Sequence, residues 1–246
     1  MTLEQYQDLV FTPLALPTPP AVDSAHLVRW MTWAREESLP RGVAKSERGY
    51  EAQTGKQYPW LMATVRLAQP GAVEESFQRE FAPIVDYARG LPFKGVRCIF
   101  VIAQRAGADV HLHTDTEGFW CFRFYLTHRH REDLYFCMAR ERVAELPPRC
   151  DDWSPLLDLS TRHYARWPAE NRAYCLNSVR AAHAVEPNRA ALGERIACVV
   201  IPEGGHDEPR LLELLEQSSA QFRDCQIWYR PPQAKQASVN RSSSPA

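Results

Sequence analysis

The residues with the clearest potential for chemistry lie in the segment VHLHTDTEGFW, where one residue separates His113 from Asp115. The apolar and β-branched neighbours predict a β-strand, and residues i and i+2 of a strand point to the same face. An imidazole and a carboxylate can therefore approach one point in space. Because both groups bind metal ions, this spacing predicts two ligands of a metal site.

A third ligand has to come from another strand. Our candidate is His183, which lies in NSVRAAHAV within a short apolar strand late in the β-rich region. Two histidines and one carboxylate leave the other positions of an ion open, an arrangement typical of non-haem Fe(II) oxygenases. Two alternatives stay open. Histidines of such a pattern are often structural, and His111 with His113 would form the ligand pair of a cupin-like metal site.

An arginine follows at the start of the next apolar strand. Arg195 in GERIACVVIP is flanked by apolar residues, so we expect it to be largely buried. A buried guanidinium needs an anionic partner, and a carboxylate matches its planar fork. The partner is either the distal carboxylate of 2-oxoglutarate or a protein carboxylate such as Glu186 or Glu194.

The strands that must position these residues lie between residues 95 and 204. Short β-rich runs follow one another there, with turn residues between most of them and no long helix. This pattern predicts two antiparallel sheets in a jelly roll, also called a double-stranded β-helix. The predicted strands are VRCIFVIA, ADVHLHT, FWCFRFYLT, LYFCMAR, RAYCLNS, AHAVE and RIACVVIP.

Helices are predicted on either side of this core, so the fold class is mainly β with an N-terminal helical cap and a C-terminal helix. Residues 1–94 are predicted to be a helical region packed on the core, and residues 205–231 a helix and a last strand. The polar residues 232–246 are predicted to be disordered. The helical segments are SAHLVRWMTWAREESL, AVEESFQREFAPIVDYARGL and EPRLLELLEQSSAQF.

Composition narrows the partners and the compartment. The formal net charge is -1 and the basic residues form no stripe, so we do not expect nucleic-acid binding. Seven cysteines without a CxxC pair, several of them in apolar runs, predict buried free thiols in a reducing compartment. The N-terminus lacks the basic start of a signal peptide and no apolar run could span a bilayer, which predicts a cytoplasmic protein.

The ordered segments HTD, RFYL, NSVRAAHAV and RIACVV resemble the aspartyl/asparaginyl β-hydroxylase-like family of Fe(II)/2-oxoglutarate-dependent dioxygenases, which includes bacterial free-proline hydroxylases. The resemblance implies a double-stranded β-helix with His113, Asp115 and His183 as iron ligands. It also implies that Arg195 holds 2-oxoglutarate. Arg123 matches a second arginine near the co-substrate, although this chain has Arg123-Phe-Tyr125 where some members have Arg-x-His.

The resemblance implies a hydroxylase that uses Fe(II), O2 and 2-oxoglutarate, with ascorbate as a supporting reductant. The short chain has no repeat domain to present peptides, which favours a small substrate such as a free amino acid or a natural-product intermediate, while a peptidyl Asp, Asn or Pro stays open. Two other functions stay open, namely a non-enzymatic jelly-roll binding protein and a cupin-type metalloenzyme that does not use 2-oxoglutarate. Residues 141–171 are interpreted as a lid or as a surface excursion. Asn177 is interpreted as a hydrogen-bonding group near the site or as a structural residue.

Overall fold

The structure is a computed structural model of the chain. Its described residues contain eleven strands, four α-helices and two short 3-10 helices. The described residues are 2–38, 55, 58–69, 71–105, 110–113, 121–128, 136–142, 162–165, 168, 171–178, 181–185 and 195–228. The strands are β1 (Leu9–Pro13), β2 (Trp60–Arg66), β3 (Phe93–Gln104), β4 (Val110–His113), β5 (Cys121–His128), β6 (Phe136–Arg142), β7 (Arg162–Tyr164), β8 (Ala173–Leu176), β9 (Ala181–Val185), β10 (Arg195–His206) and β11 (Ile227–Trp228). The helices are α1 (Ser24–Ser38), α2 (Ala72–Glu80), α3 (Ala82–Gly90), α4 (Glu208–Gln221) and the 3-10 turns Leu3–Tyr6 and Arg223–Cys225.

The strands form two antiparallel sheets. The larger sheet has the order β11-β1-β8-β5-β10-β3-β2, and the smaller one has the order β4-β9-β6-β7. Within them, β3, β5, β8 and β10 share one sheet, while β4, β6, β7 and β9 share the other. Eight consecutive strands divided in this way between two sheets constitute a jelly roll. The predicted fold class is therefore confirmed.

Three further strands extend the larger sheet beyond the jelly roll. On one edge, β1 pairs with β8 and β11 pairs with β1, and on the other edge β2 pairs with β3. Residues 1–94 thus supply two strands as well as the helices that the sequence predicted. All five residues of β1 are buried, but its apolar run covers only residues 9–11, which is too short to predict a strand.

All four helices contribute to one hydrophobic cluster on the larger sheet. Leu27 of α1, Phe77 of α2, Ile84 of α3 and Leu211 of α4 are fully buried in it. The rings of Trp30 and Phe77 lie 4.9 Å apart between centroids, which is a favourable aromatic pair. These contacts define the outer face of the sheet, which is the face covered by the helices.

The helix predicted over AVEESFQREFAPIVDYARGL is interrupted once. The first part, α2, ends at Glu80, and α3 begins at Ala82 with Pro83 in its first turn. Phe81 between them has φ −127° and ψ 35°, which is not helical. Proline has no N–H to donate to the preceding turn but fits the first turn of a new helix, which explains the break.

Alternation along the strands separates two layers of side chains. On β10, Ile196, Cys198 and Val200 belong to the outer cluster with the helices. Ala197 and Val199 belong to a second cluster on the opposite face of the sheet, which we call the inner face. Because the side-chain period of a strand is two, Arg195 lies on the inner face with Ala197 and Val199.

The structure tests part of the predictions made for residues 141–171, for the tail and for the cysteines. The segment 141–171 contains the short strand β7, which pairs with β6, while most of that segment and the tail 232–246 lie outside the described residues. The five cysteines whose side chains the structure describes form no disulfide, as predicted, and three of them are buried. Among the described residues, none of the helices is long and apolar enough to cross a membrane.

Candidate functional site

The two histidines of the predicted metal site meet across neighbouring strands of the smaller sheet. His113, the last residue of β4, lies directly opposite His183 of β9, and Met138 of β6 lies opposite His183 on the other side. Residues directly opposite each other in an antiparallel pair share a face of the sheet. The backbone register thus brings together two residues that are far apart in the sequence.

His183 occupies a protected position in the smaller sheet. Its side chain is 1% exposed, and its Nε2 atom is buried. The side chain of His113 and the whole of Asp115 lie outside the described residues, as do the side chain of His111 and residues Phe119 and Trp120. The residues that the structure describes in full include no cluster of three metal-binding side chains.

Arg195 lies at the beginning of β10 on the inner face of the larger sheet. Its side chain is 5% exposed, which agrees with the burial predicted from its apolar neighbours. Its Nη1 donates a hydrogen bond to Oε1 of Gln104 on β3. Gln104 is neutral, so this bond orients the guanidinium without neutralising its charge. The carboxylates considered from the sequence, Glu186 and Glu194, lie outside the described residues.

Arg123 lies on β5, the strand next to β10. It is opposite Val199 on one side and Tyr174 of β8 on the other. Its side chain is half-buried, and its Nε donates to Sγ of Cys121 over 3.4 Å. The register thus places both predicted arginines on the inner face.

A small cavity separates the two arginines. Its volume is about 10 Å³, close to the space that one water molecule needs. A dicarboxylate is much larger, so its binding between the arginines requires at least one lining side chain to change rotamer. The lining residues are Trp60, Ile102, Arg123, Tyr125, Tyr174, Arg195 and Ala197.

Two tyrosines of this cavity were not predicted as site residues. The hydroxyl oxygens of Tyr125 and Tyr174 are 3.4 Å apart, and their rings stack with centroids separated by 5.6 Å. Burial raises the pKa of Tyr174 well above its ordinary value, and Tyr125 adds to this, whereas the positive charge of Arg123 opposes it. The Tyr174 phenol therefore remains neutral at physiological pH and can donate a hydrogen bond to an anion. The signal in the sequence is alternation. In RFYLT and RAYCL each tyrosine lies between two apolar residues, which places the tyrosine and its apolar neighbours on opposite faces of the strand.

Asn177 occupies a different place from the predicted site. It directly follows β8, its side chain is 3% exposed, and its backbone N–H donates to Val10 of β1 over 2.9 Å. Its neighbours Leu3 and Leu211 lie on the outer side of the larger sheet with the helices. Asn177 is thus separated by the sheet from Arg123 and Arg195.

Comparisons with known proteins give matches to solved structures only. Neither the protein-family models nor the curated protein sequences include a match to this chain. The non-haem monooxygenase ThoJ is 16% identical, with a TM-score of 0.42 over 80% of this chain and 75% of that one. The non-haem α-ketoglutarate-dependent carbocyclase SnoK from nogalamycin biosynthesis is 13% identical, with a TM-score of 0.40 over 81% of each chain.

A prolyl hydroxylase from Trichoplax adhaerens, solved with a hypoxia-inducible-factor peptide, is also similar. It is 12% identical, with a TM-score of 0.40 over 86% of this chain and 90% of that one. These identities and TM-scores are low, so the fold assignment rests on the strand order of the two sheets. By that order, the chain is a jelly-roll protein with three added strands and a helical layer on its larger sheet.

Proposed function

We propose that the protein is an Fe(II)/2-oxoglutarate-dependent dioxygenase that hydroxylates an aliphatic carbon of a small substrate, such as a free amino acid or a natural-product intermediate. The observation that carries this proposal is the register of β4 and β9, which sets His113 opposite His183 in a jelly roll whose larger sheet carries two arginines on its inner face. Fe(II) bound there would supply activation of O2 coupled to decarboxylation of 2-oxoglutarate. Ascorbate would support the enzyme by keeping the metal reduced.

The iron ligands in this proposal are His113, Asp115 and His183. The donor set suits the metal, because two imidazoles and one carboxylate leave positions for a co-substrate and O2. The burial of His183 Nε2 supports the assignment, since bulk water competes little with a buried ligand atom for the metal ion. Asp115 is placed in the set by its spacing from His113 alone.

Arg195 would bind the distal carboxylate of 2-oxoglutarate. Its planar fork suits a carboxylate, and Gln104 holds the guanidinium in place from β3. Tyr174 would donate a hydrogen bond to the same anion, and Arg123 would add positive charge at the other side of the cavity. Burial of these groups strengthens their electrostatic interaction with an anion, because bulk water screens it less.

The free thiols fit a reducing compartment, and we extend the proposal to a cytoplasmic location. The near-neutral net charge supports a small-molecule substrate over nucleic acid.

The first test is anaerobic titration of the metal-free protein with Fe(II) and then with 2-oxoglutarate. The proposal predicts a weak visible charge-transfer band that needs both additions. Binding of Fe(II) without a response to 2-oxoglutarate would favour the cupin-type metalloenzyme. Failure to bind either would favour a non-enzymatic binding protein.

The second test concerns the ligand set. His113→Ala, Asp115→Ala and His183→Ala should each sharply weaken Fe(II) binding and abolish turnover of 2-oxoglutarate. His111→Ala should be much milder, and His26→Ala is a matched control, because His26 lies on α1 and contacts Glu80. Loss of Fe(II) binding in His111→Ala together with retention in Asp115→Ala would show that the triad is assigned wrongly.

A further inference from the structure

The small cavity between Arg123 and Arg195 is too narrow for 2-oxoglutarate in the structure. Its volume of about 10 Å³ is close to the space that one water molecule needs. A dicarboxylate enters it after a lining side chain has moved, whereas a ligand of about the size of water fits without any movement. The cavity in its present shape therefore suits a ligand of a single atom.

Two guanidinium groups contribute positive charge to the walls of this cavity. Arg195 is 5% exposed, and Gln104, to which it donates a hydrogen bond, is buried and neutral. Arg123 is half-buried, and its positive charge opposes the rise that burial causes in the pKa of the Tyr174 phenol. A guanidinium has five N–H donors and keeps its charge at physiological pH. The two arginines thus favour an anion in the space between them.

Two phenol groups add neutral hydrogen-bond donors to the same walls. The hydroxyl oxygens of Tyr125 and Tyr174 are 3.4 Å apart, and both residues line the cavity. Only one of their two protons can lie in the bond between them, so the pair has a second proton to donate. Both side chains are buried, which keeps bulk water away from these donors. The neighbouring strands β5, β8 and β10 therefore present positive and neutral donors to one enclosed space.

The remaining walls of the cavity are largely apolar. They are formed by Trp60, Ile102 and Ala197, and the described lining residues include no carboxylate that would repel an anion. Apolar walls lower the local dielectric constant, which strengthens the attraction between an anion and the guanidinium groups. The site is therefore built for a small negative charge.

Size and charge together select the ligand. Chloride is a single atom slightly larger than a water molecule, whereas phosphate, sulfate and carboxylates each carry several oxygen atoms. Chloride accepts hydrogen bonds from guanidinium and hydroxyl groups, and it gives up its hydration shell more readily than fluoride does. We propose that this cavity is a chloride site, and that chloride has to leave before 2-oxoglutarate can bind Arg195. The competition with 2-oxoglutarate rests on the proposed function, whereas the chloride site itself does not.

The linewidth of the chloride-35 NMR signal tests the site without iron or 2-oxoglutarate. The metal-free full chain should broaden the signal, because bound chloride loses its symmetrical hydration shell and exchanges with the free ion. Bromide should reverse the broadening, since it is also a monatomic halide. Methanesulfonate at the same ionic strength should not, because it is too large for the cavity. The absence of broadening, or an equal reversal by methanesulfonate, would overturn the proposal.

Two substitutions in the walls test the contacts to the ion. Arg123→Gln and Tyr174→Phe should each weaken chloride binding by about tenfold, as expected for the loss of one hydrogen bond to a charged group. Tyr174→Phe keeps the ring that stacks on Tyr125, so this variant should fold normally. Arg97→Gln is the control, since Arg97 is exposed on β3 and does not line the cavity. Chloride affinity equal to that of the parent protein in both wall variants would overturn the proposal.

His183→Ala distinguishes the cavity from the proposed iron site. A protonated histidine can also attract chloride, so the metal-free protein offers a second place where the ion could bind. The variant should leave the broadening unchanged, because His183 lies on β9 of the smaller sheet and is not among the residues that line the cavity. Loss of the broadening in His183→Ala would place the ion at the histidines and overturn the proposal.

Anaerobic titration of the Fe(II)-loaded protein with 2-oxoglutarate tests the competition. With methanesulfonate keeping the ionic strength constant, chloride at its own Kd should raise the apparent Kd of 2-oxoglutarate about twofold, and the rise should be linear in chloride concentration. An apparent Kd that is independent of chloride would overturn the competition. Chloride broadening in a protein that gives no charge-transfer band with Fe(II) and 2-oxoglutarate would refute the hydroxylase function but support the chloride site. A charge-transfer band without chloride broadening would refute the chloride site alone.

Discussion

Replacing Arg195 by lysine would keep the positive charge at the beginning of β10 but remove the planar fork of donors. In the structure, Nη1 of Arg195 donates a hydrogen bond to Oε1 of Gln104. The buried Arg195 side chain lines the small cavity together with Ile102 and Ala197. A lysine ammonium is a single point of charge. It cannot keep the bond to Gln104 and also form two parallel hydrogen bonds to one carboxylate.

The size of the effect follows from the hydrogen bonds lost. A hydrogen bond to a charged group contributes about 1.5–3 kcal/mol, so the loss of one predicts about ten- to hundredfold weaker binding of 2-oxoglutarate. Iron affinity should not change, because Arg195 is not among the proposed ligands. Arg195→Ala should be worse than lysine, because it removes the positive charge at this position as well as the fork of donors.

The assay is anaerobic titration of the Fe(II)-loaded protein with 2-oxoglutarate, followed by visible absorbance. Arg123→Lys is measured in parallel, and Arg97→Lys is the surface control, since Arg97 is exposed on β3. Normal affinity in Arg195→Lys with weakened affinity in Arg123→Lys would show that Arg123 is the principal clamp. Normal affinity in both would refute the proposed 2-oxoglutarate site.

Three further predictions concern stability and reactivity. Phe77→Ala should lower the free energy of unfolding by about 3–5 kcal/mol, measured by urea denaturation, because its ring is fully buried against Trp30. Burial raises the pKa of Tyr174, so the folded state holds the phenol proton more tightly than the unfolded state. Stability should therefore fall as the pH rises past about 10, and Tyr174→Phe should flatten that dependence in denaturation curves. The thiol of Cys175, whose pKa is raised by burial, should react with a thiol reagent more slowly than the half-buried Cys121, as followed by mass spectrometry.

The sequence predicts a strand where a run of apolar residues is long enough. β10 contains an unbroken apolar run from residue 196 to residue 201, which is typical of a buried strand. β2 contains a similar apolar stretch in WLMATV, so this strand could have been predicted too. In β1 the apolar run covers only residues 9–11, because Thr12 and Pro13 follow, and it is too short to predict a strand.

The sequence also determined which residue types are available for chemistry. The spacing of His113 and Asp115 and the apolar neighbours of Arg195 are local properties, and the burial predicted for Arg195 is confirmed. The pairing of His113 with His183 is not local. It depends on the register between β4 and β9, which is set by the packing of the whole sheet.

The position of Asn177 was decided by the tertiary structure alone. In the sequence it lies close to His183, which suggested a role beside the metal. In the fold it lines a cavity with Leu211 of α4, on the side of the larger sheet opposite to Arg123 and Arg195. Nearness in sequence does not fix this, because successive residues of an extended chain point to opposite faces and only the packed sheet determines what each face meets.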